Sequence, residues 1–515
     1  MKYCLTILFF TGFILNGCFV SAQKVLYSPF LEASSQIRFE VIGKAGNYYW
    51  IQKSKKKSRL NSSISPGVTA FEVYDERMNF VKTISAPLND TILKEYFVSQ
   101  EKYMDQLVFT RMYDSTGILL RRYTNSGVLE DCFYLPCKFP SRMNLGDFLL
   151  VRSQDKNNTL LLGFESNTDS VLSVHSFLFN KNWHLLNYAL LKDQRITKPF
   201  IQYDVVDYPL EDFSNCPVKL ANSGEWLMLS SARINQSSLL FHFSANNKQA
   251  EIKEIRLPLN STTQDICLSL NNEKREVLIG ILSQYYSPLA KSVRVLHYSL
   301  DTCKILYDSL YKFKTVAATK NTPKTIYEEY FMTIPNKGFL LLKEYGRAYD
   351  SKYDPDELSQ NDEFASGDLS QAGLFLNKNN YTRYNYLAGV KTLYDRGDLS
   401  LYYFSATGKD SCWSGIINKE QVTELNSATL SYVFLPAGNK LFFLYNSFYK
   451  NRDNYSSSTI LDYNGNALQE GIVYWNIKNT LLFQKARQIA EGELAIPYAK
   501  NARNGFAIIR LSPAP

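Results

Sequence analysis

The stretch Ser458–Trp475, STILDYNGNALQEGIVYW, decides the fold. Thr459–Asp462 alternates toward apolar residues. Tyr463-Asn464-Gly465-Asn466 is turn chemistry, because Gly and Asn accept positive φ at low cost. Ala467–Trp475 then resumes as a second extended run. A strand, a tight turn and a strand make a β-hairpin. The rest of the chain repeats this unit, with drift, about seven times.

A four-strand cycle accounts for the repeat. The first unit runs through Gln36–Gly43, Tyr48–Lys53, Thr69–Tyr74 and Phe80–Ser85. The second reads Gln106–Tyr113, Ile118–Tyr123 and Val128–Leu135. The third reads Phe148–Ser153, Thr159–Glu165, Val171–Phe179 and Trp183–Leu191. The fourth begins near Phe200 and continues through Glu225–Ala232, Ser238–Phe243 and Ala250–Leu257. The fifth has Ile266–Leu270, Glu276–Ser283, Ser292–Tyr298 and Cys303–Leu310. The sixth starts with Tyr330–Ile334 and Gly338–Tyr345. It is then interrupted at Gly346–Arg396 and resumes with Leu399–Phe404 and Ser411–Ile417. The seventh has Leu430–Leu435, Lys440–Asn446 and the opening hairpin. The eighth has Gln484–Glu491, Glu493–Ala499 and Gly505–Leu511, and lacks a fourth strand. Val25–Phe30 stands alone at the other terminus and is the candidate for the missing one. Turn-to-turn spacing runs at roughly 50–65 residues, which is propeller spacing. The expected fold is all-β: a single β-propeller of eight four-stranded blades, seven being the alternative, closed by an N-terminal strand that removes an open edge.

Composition agrees. Aromatics are 14%, with 36 Tyr and 32 Phe, which suit pleated, half-buried surfaces. Charged residues are 21% and mean hydropathy is −0.24, as in an ordinary folded chain.

Residues 1–22 read as a signal peptide. Lys2 gives a positive start, Cys4–Val20 is almost wholly apolar, and Val20-Ser21-Ala22 puts small residues before Gln23. Leu15-Asn16-Gly17-Cys18 competes as a lipobox, with Cys18 as the lipidated residue. Nothing later reaches the ~18 apolar residues that a transmembrane helix needs. Removing residues 1–22 takes Lys2 and no acid, so the net charge falls from +8 to +7. Lys53–Arg59 is the one dense basic run and reads as a solvated loop. No basic stripe interleaved with aromatics points to nucleic acid.

The chain resembles the signal-bearing propeller proteins common in Bacteroidetes bacteria. Ser21-Ala22-Gln23, Ile334–Leu342 (IPNKGFLLL) and the hairpins Leu399–Trp413 and Thr459–Leu468 carry the resemblance. It implies an exported propeller in the periplasm or on the outer-membrane surface, and no settled activity. The chain ends at Arg510–Pro515 without the sorting domain that such proteins append for release, so retention in the envelope is expected.

The search for chemistry is mostly negative. G-x-S-x-G, H-E-x-x-H, a Gly-rich phosphate loop and an EF-hand loop are all absent. His175, His184, His242 and His297 fall in separate strands and read as core or surface residues. Six cysteines follow the signal. Cys132 and Cys137 are the one candidate disulfide, closing a small loop around Pro136.

The insertion Gly346–Arg396 is the unusual segment. It holds Asp354, Asp356 and Glu357 as a candidate site for a hard cation such as calcium. Tyr345, Tyr349, Tyr353 and Tyr384 are candidate ligand-binding aromatics, an aromatic face being suited to a sugar ring. No other cofactor is implied. The reading is an exported, monomeric binding or scaffold module of the cell envelope, recognising a protein or glycan through propeller loops. The alternative is a polysaccharide-active enzyme with carboxylates at the central funnel. Two or more inward carboxylates beside an aromatic platform distinguish the second from the first.

Overall fold

A computed structural model describes residues 24–29, 37–55, 68–85, 92–140, 143, 148–167, 170–192, 205–206, 217–231, 238–243, 252–256, 263–284, 290–314, 326–334, 336–352, 390–406, 412–419, 421–423, 432–449, 452–475, 480–482, 486–490, 492–500 and 503–510. These residues are all-β and form eight four-stranded antiparallel blades of the β-propeller class. No helix among them is long and apolar enough to cross a membrane.

The chain divides into two compact units. The larger comprises Ser34–Asp350 and Tyr394–Glu420, and the smaller comprises Met1–Ala33, Ser351–Leu393 and Gln421–Pro515. In the larger, blade 1 is Ile37–Ala45, Tyr48–Lys55, Val68–Tyr74 and Phe80–Ser85. Blade 2 is Ile92–Ser99, Tyr103–Arg111, Ser115–Thr124 and Leu129–Pro140. Blade 3 is Phe148–Arg152, Asn158–Asn167, Ser170–Asn180 and Leu185–Leu191. Blade 4 is Val218–Leu220, Trp226–Ser231, Ser238–Phe243 and Ile252–Arg256. Blade 5 is Thr263–Asn271, Glu276–Gln284, Ala290–Ser299 and Lys304–Lys314. Blade 6 is Ile326–Ile334, Gly338–Lys352, Val390–Ser405 and Trp413–Ile417.

In the smaller unit, blade 7 is Tyr432–Ala437, Lys440–Tyr449, Arg452–Asp462 and Ala467–Trp475. In blade 8, Arg487–Ala490 and Thr480–Leu481 both pair with Glu493–Lys500. Arg503–Arg510 follows, and Lys24–Tyr27 is the outer strand. Lys24 lies opposite Arg510 and Tyr27 opposite Ala507. The N-terminal segment Lys24–Tyr27 thus runs antiparallel beside Arg503–Arg510.

Adjacent blades of the larger unit pack face to face through apolar side chains. Phe109, Phe139, Phe148, Phe177 and Phe179 fill one cluster between blades 2 and 3. Leu149, Leu162 and Phe164 of blade 3 meet Val218, Met228 and Phe241 of blade 4. Fully burying one such side chain contributes about 1.5–3 kcal/mol. The surplus of Phe and Tyr is thus spent between blades.

The expected hairpin recurs with one geometry. In Asp75–Asn79, Thr124–Val128, Asn180–His184 and Asp462–Asn466 the first N–H donates to the fifth carbonyl. The fourth N–H donates back to the first carbonyl. The fourth residue takes positive φ: Met78 (65°), Gly127 (89°), Trp183 (65°) and Gly465 (82°). The first side chain locks the turn. Asp462 Oδ1 accepts the N–H of Asn464 (2.9 Å) and of Asn466 (2.8 Å), and Asp75 does the same for Arg77 and Asn79. One residue into the outer strand there follows a β-bulge, at Val81, Glu130, Leu186, Leu306 and Leu468 in blades 1, 2, 3, 5 and 7.

Three expectations change. The first strand of blade 2, Ile92–Ser99, is present where the sequence offered none, and that of blade 4 is Val218–Leu220 in place of the start expected near Phe200. A register shift between Ile92 and Lys94 breaks the alternation of the former, and the latter spans three residues. Next, the segment expected as a loop at Gly346–Arg396 is strand at both ends, since Gly338–Lys352 and Val390–Ser405 run into it. Finally, Cys132 and Cys137 are unpaired. Both sit in Leu129–Pro140, Cys132 exposed and Cys137 buried. Five residues of extended chain hold them on the order of 15 Å apart, against the ~7 Å limit for a bridge.

Candidate functional site

Blade 6 carries the concentration of charge. Its second strand places Lys343 and Glu344 in succession, and successive strand residues face opposite sides. Both side chains are fully buried. A charge is buried only when it is compensated, since desolvating it costs several kcal/mol.

Lys343 lies opposite Glu329 on the first strand, with Nζ 3.7 Å from its carboxylate and 5.8 Å above the ring of Tyr402. Asp265, on the first strand of blade 5, joins this group. The two first strands touch where the Cys267 thiol donates to the Phe331 carbonyl at 3.1 Å. Burial pushes the Asp265 carboxyl up to about 6, reinforced by the charge of Glu329 and opposed by the Ile266 N–H, which it accepts at 2.8 Å. Tyr330, next to Glu329, is exposed. Asp265 and Glu329, from adjacent first strands, therefore lie close enough to feel each other's charge, with Lys343 opposite Glu329.

Glu344 pairs with Lys419, which follows the outer strand of the same blade, in a short contact between two fully buried side chains. The Lys419 N–H donates to Asp398 Oδ1 at 3.3 Å. Arg396 and Asp398 are buried as well. Burial lowers the Lys419 ammonium from its ordinary range, while Glu344 and then Asp398 oppose the fall and Arg396 adds to it. This cluster sits where the blade gives way to the long strands. The first strand's pairing begins at Ile326 opposite Tyr345, and the second strand continues to Lys352. The outer strand reaches Leu399, and the third begins at Val390. Beyond those points the second and third strands run on as an arm, with Gln421–Thr423 paired alongside the third.

The structure treats the sequence candidates unevenly. Tyr345 is buried at the foot of the arm, and Tyr349 lies in its second strand. Tyr353, Asp354, Asp356, Glu357, Tyr384 and Cys18 fall outside the described residues. Among the described residues no three His, Cys, Asp or Glu side chains come together as a metal site. The histidines belong to blades 3, 4 and 5. His175 meets Glu165 (3.3 Å), His242 meets Tyr298 (3.1 Å), and His297 meets the Ala406 carbonyl (2.8 Å). His184 is exposed in a turn.

Sequence reasoning missed Asp265, Glu329, Lys343, Glu344, Arg396, Asp398 and Lys419. The one local signal was the pair of adjacent charges inside an otherwise apolar strand, GFLLLKEY at Gly338–Tyr345.

No family model matches the chain, and no curated protein does. Among solved structures, a Dos1 propeller is similar over 93% of this chain and 94% of its own, at 10% identity and a TM-score of 0.40. Prolyl oligopeptidase B from Galerina marginata is similar over 90% of this chain and 55% of its own, at 9% identity and a TM-score of 0.40. The polysaccharide lyase Uly1 is similar over 95% and 98%, at 11% identity and a TM-score of 0.35. Likeness this distant carries no assignment, and the fold rests on the strand pairing itself.

Proposed function

We propose that the protein is an exported binding or scaffold module of the cell envelope that recognises a protein or glycan, with the arm of blade 6 as its contact. The supporting observation is the arm's root. Two strands run on past their blade, and the buried Glu344–Lys419 pair with Arg396 and Asp398 fixes where they leave it. A rigid root beneath two paired strands suits presentation of the segment that joins them to a partner. In this reading Tyr349, Tyr353 and Tyr384 supply aromatic contact, and Asp354, Asp356 and Glu357 hold calcium where the partner needs it. Residues 1–22 direct export, with Cys18 as the tether if the lipobox is used. Lys24–Tyr27 closes the ring of blades. The test is a glycan array and a pull-down from envelope extract, run on the protein and on a variant with residues 353–389 replaced by a four-residue turn. Loss of the captured partner with an unchanged melting curve supports the reading. An unchanged partner set refutes it.

The Asp265–Glu329 pair favours a second reading, a polysaccharide-active enzyme. A carboxyl held near 6 beside a second carboxylate suits proton transfer. Cleavage of any glycan in a panel, abolished by both Asp265→Asn and Glu329→Gln, supports it. Cleavage that survives both removes it.

A further inference from the structure

We infer that the outer strand of blade 3, Leu185–Leu191, pairs edge to edge with the same strand of a second copy of this chain. The strand reads LLNYALL. Leu186, Tyr188 and Leu190 are 54%, 43% and 40% exposed, and Leu185 is exposed beside them. Among the described residues nothing pairs with the outer side of this strand. A long, apolar, uncharged edge is what folded proteins avoid leaving open.

The sister strands show the avoidance. Phe80–Ser85 carries Lys82, and Leu129–Pro140 carries Glu130, Asp131 and Lys138. Lys304–Lys314 carries four lysines or acids along its length, and Ala467–Trp475 carries Glu470. Ile252–Arg256 is charged at three of five positions, and Lys24–Tyr27 begins with lysine. Trp413–Ile417 shares the lack of charge, but its apolar side chains are half-buried or buried. Blade 3 is therefore where an outer strand is both uncharged and apolar outward.

The sequence of the strand selects the occupant. A two-fold interface must be complementary to itself, residue i meeting j as j meets i. LLNYALL is nearly the same read in either direction, with Tyr188 at its centre. Antiparallel pairing about that centre sets Tyr188 against Tyr188, Leu190 against Leu186, and Asn187 against Ala189. The exposed apolar side chains meet in one ladder, each opposed pair contributing up to about 1 kcal/mol. The bulge at Leu186 ends the regular ladder, so the hydrogen-bonded segment is Asn187–Ala189, with Leu186 packing over the partner's Leu190 at each end. Tyr188 is ready for the role. Its ring packs at 4.7 Å on Phe177 of the neighbouring strand, and its hydroxyl lies 3.4 Å from His175 Nδ1. A dimer formed in this way stands in place of the monomer expected from the sequence, and it does not depend on the partner of the arm.

The test uses the purified protein in a Cys132→Ser, Cys216→Ser background, Cys132 being the exposed thiol among the described residues. Light scattering across a concentration series is expected to show a dimer. Leu190→Lys, which opposes no like charge but buries one, and Tyr188→Lys, which opposes two, are each expected to weaken it at least about tenfold. Under mild oxidation Tyr188→Cys is expected to give a disulfide dimer by itself. Leu186→Cys and Leu190→Cys are expected to cross-link only when mixed. A monomer at every concentration overturns the inference, as does a dimer that survives both lysine variants with circular dichroism unchanged. Cross-linking of Leu190→Cys alone, at the yield of Tyr188→Cys, overturns the register.

Discussion

At the scale of single residues, the buried charges divide into those that hold blades and those that cost stability. Asp105 is fully buried in the second strand of blade 2. It accepts from Arg122 at 2.8 and 2.9 Å, from the Trp183 indole at 2.8 Å and from Gln100 at 3.1 Å. Trp183 belongs to blade 3 and sits at φ 65°, a strained value for a residue with a Cβ. The carboxylate therefore ties a turn of one blade to two strands of another. Asp105→Ala is expected to cost about 2–3 kcal/mol, since it leaves the partly buried Arg122 guanidinium and the Trp183 indole without their acceptor. Trp183→Phe removes one hydrogen bond and is expected to cost about 1 kcal/mol beyond its lost packing. Urea unfolding of both variants checks the ranking. Asp265 behaves in the opposite way. Its folded carboxyl keeps a proton up to about pH 6, whereas the unfolded one releases it near 3.8. Between those values folding takes up a proton, so stability falls as pH rises. Above pH 6 the whole penalty is present. Asp265→Asn is thus expected to stabilise the fold by about 1–3 kcal/mol at pH 8 and to leave it unchanged below pH 3.8. Equal effects at the two pH values contradict this assignment.

At the scale of elements, the repeating part is a turn followed by a bulge. Asp462 supplies three acceptor contacts to that turn, from the N–H groups of Asn464 and Asn466 and from Asn466 Nδ2. Asp462→Ala is expected to destabilise the hairpin of blade 7 by about 1–2 kcal/mol, and Gly465→Ala by about 1 kcal/mol through its φ of 82°. Hydrogen exchange of Arg452–Asp462 and Ala467–Trp475 reads both, and loss of protection confined to these strands is the expected pattern. These turns are what made the fold legible. Asp, Asn and Gly at fixed offsets announce themselves locally, and the outer two strands they join kept their boundaries to within a few residues in most blades. Other parts left no local mark. Ile92–Ser99 hides behind its register shift and the adjacent Lys94-Glu95. The ends of the arm were read as loop because Gly346–Lys352 mixes glycine, charge and tyrosine, and nothing nearby reveals that a distant strand will pair with it. The site was least legible of all. Glu344 meets Lys419 across 75 residues, and in the sequence each looks like a solvated charge.

At the scale of the whole molecule, the chain ends meet in one sheet. Lys24–Tyr27 pairs with Arg503–Arg510 at a separation of more than 470 residues. The junction is more than a backbone ladder. Tyr27 packs edge-on against Tyr498 at 5.1 Å, and the Tyr498 hydroxyl donates to the Ser28 carbonyl at 3.0 Å. Ser28 Oγ accepts the Phe506 N–H at 2.9 Å, and Ser28 N–H donates to the Phe506 carbonyl at 2.8 Å. Without residues 24–29, Arg503–Arg510 becomes an open edge containing Phe506-Ala507-Ile508-Ile509, an invitation to aggregate. Contacts this distant in sequence also form late, because the loop-closure entropy comes before the reward. A variant lacking residues 24–29 is therefore expected to lose on the order of 3–5 kcal/mol and to scatter light on warming, while blades 1 to 5 keep their exchange protection. A synthetic peptide spanning Lys24–Pro29, added in excess, is expected to restore the lost stability by refilling the same edge. Restoration by a peptide in which Leu26 is replaced by proline would show that the ladder is not what binds, since proline removes a donor from its centre.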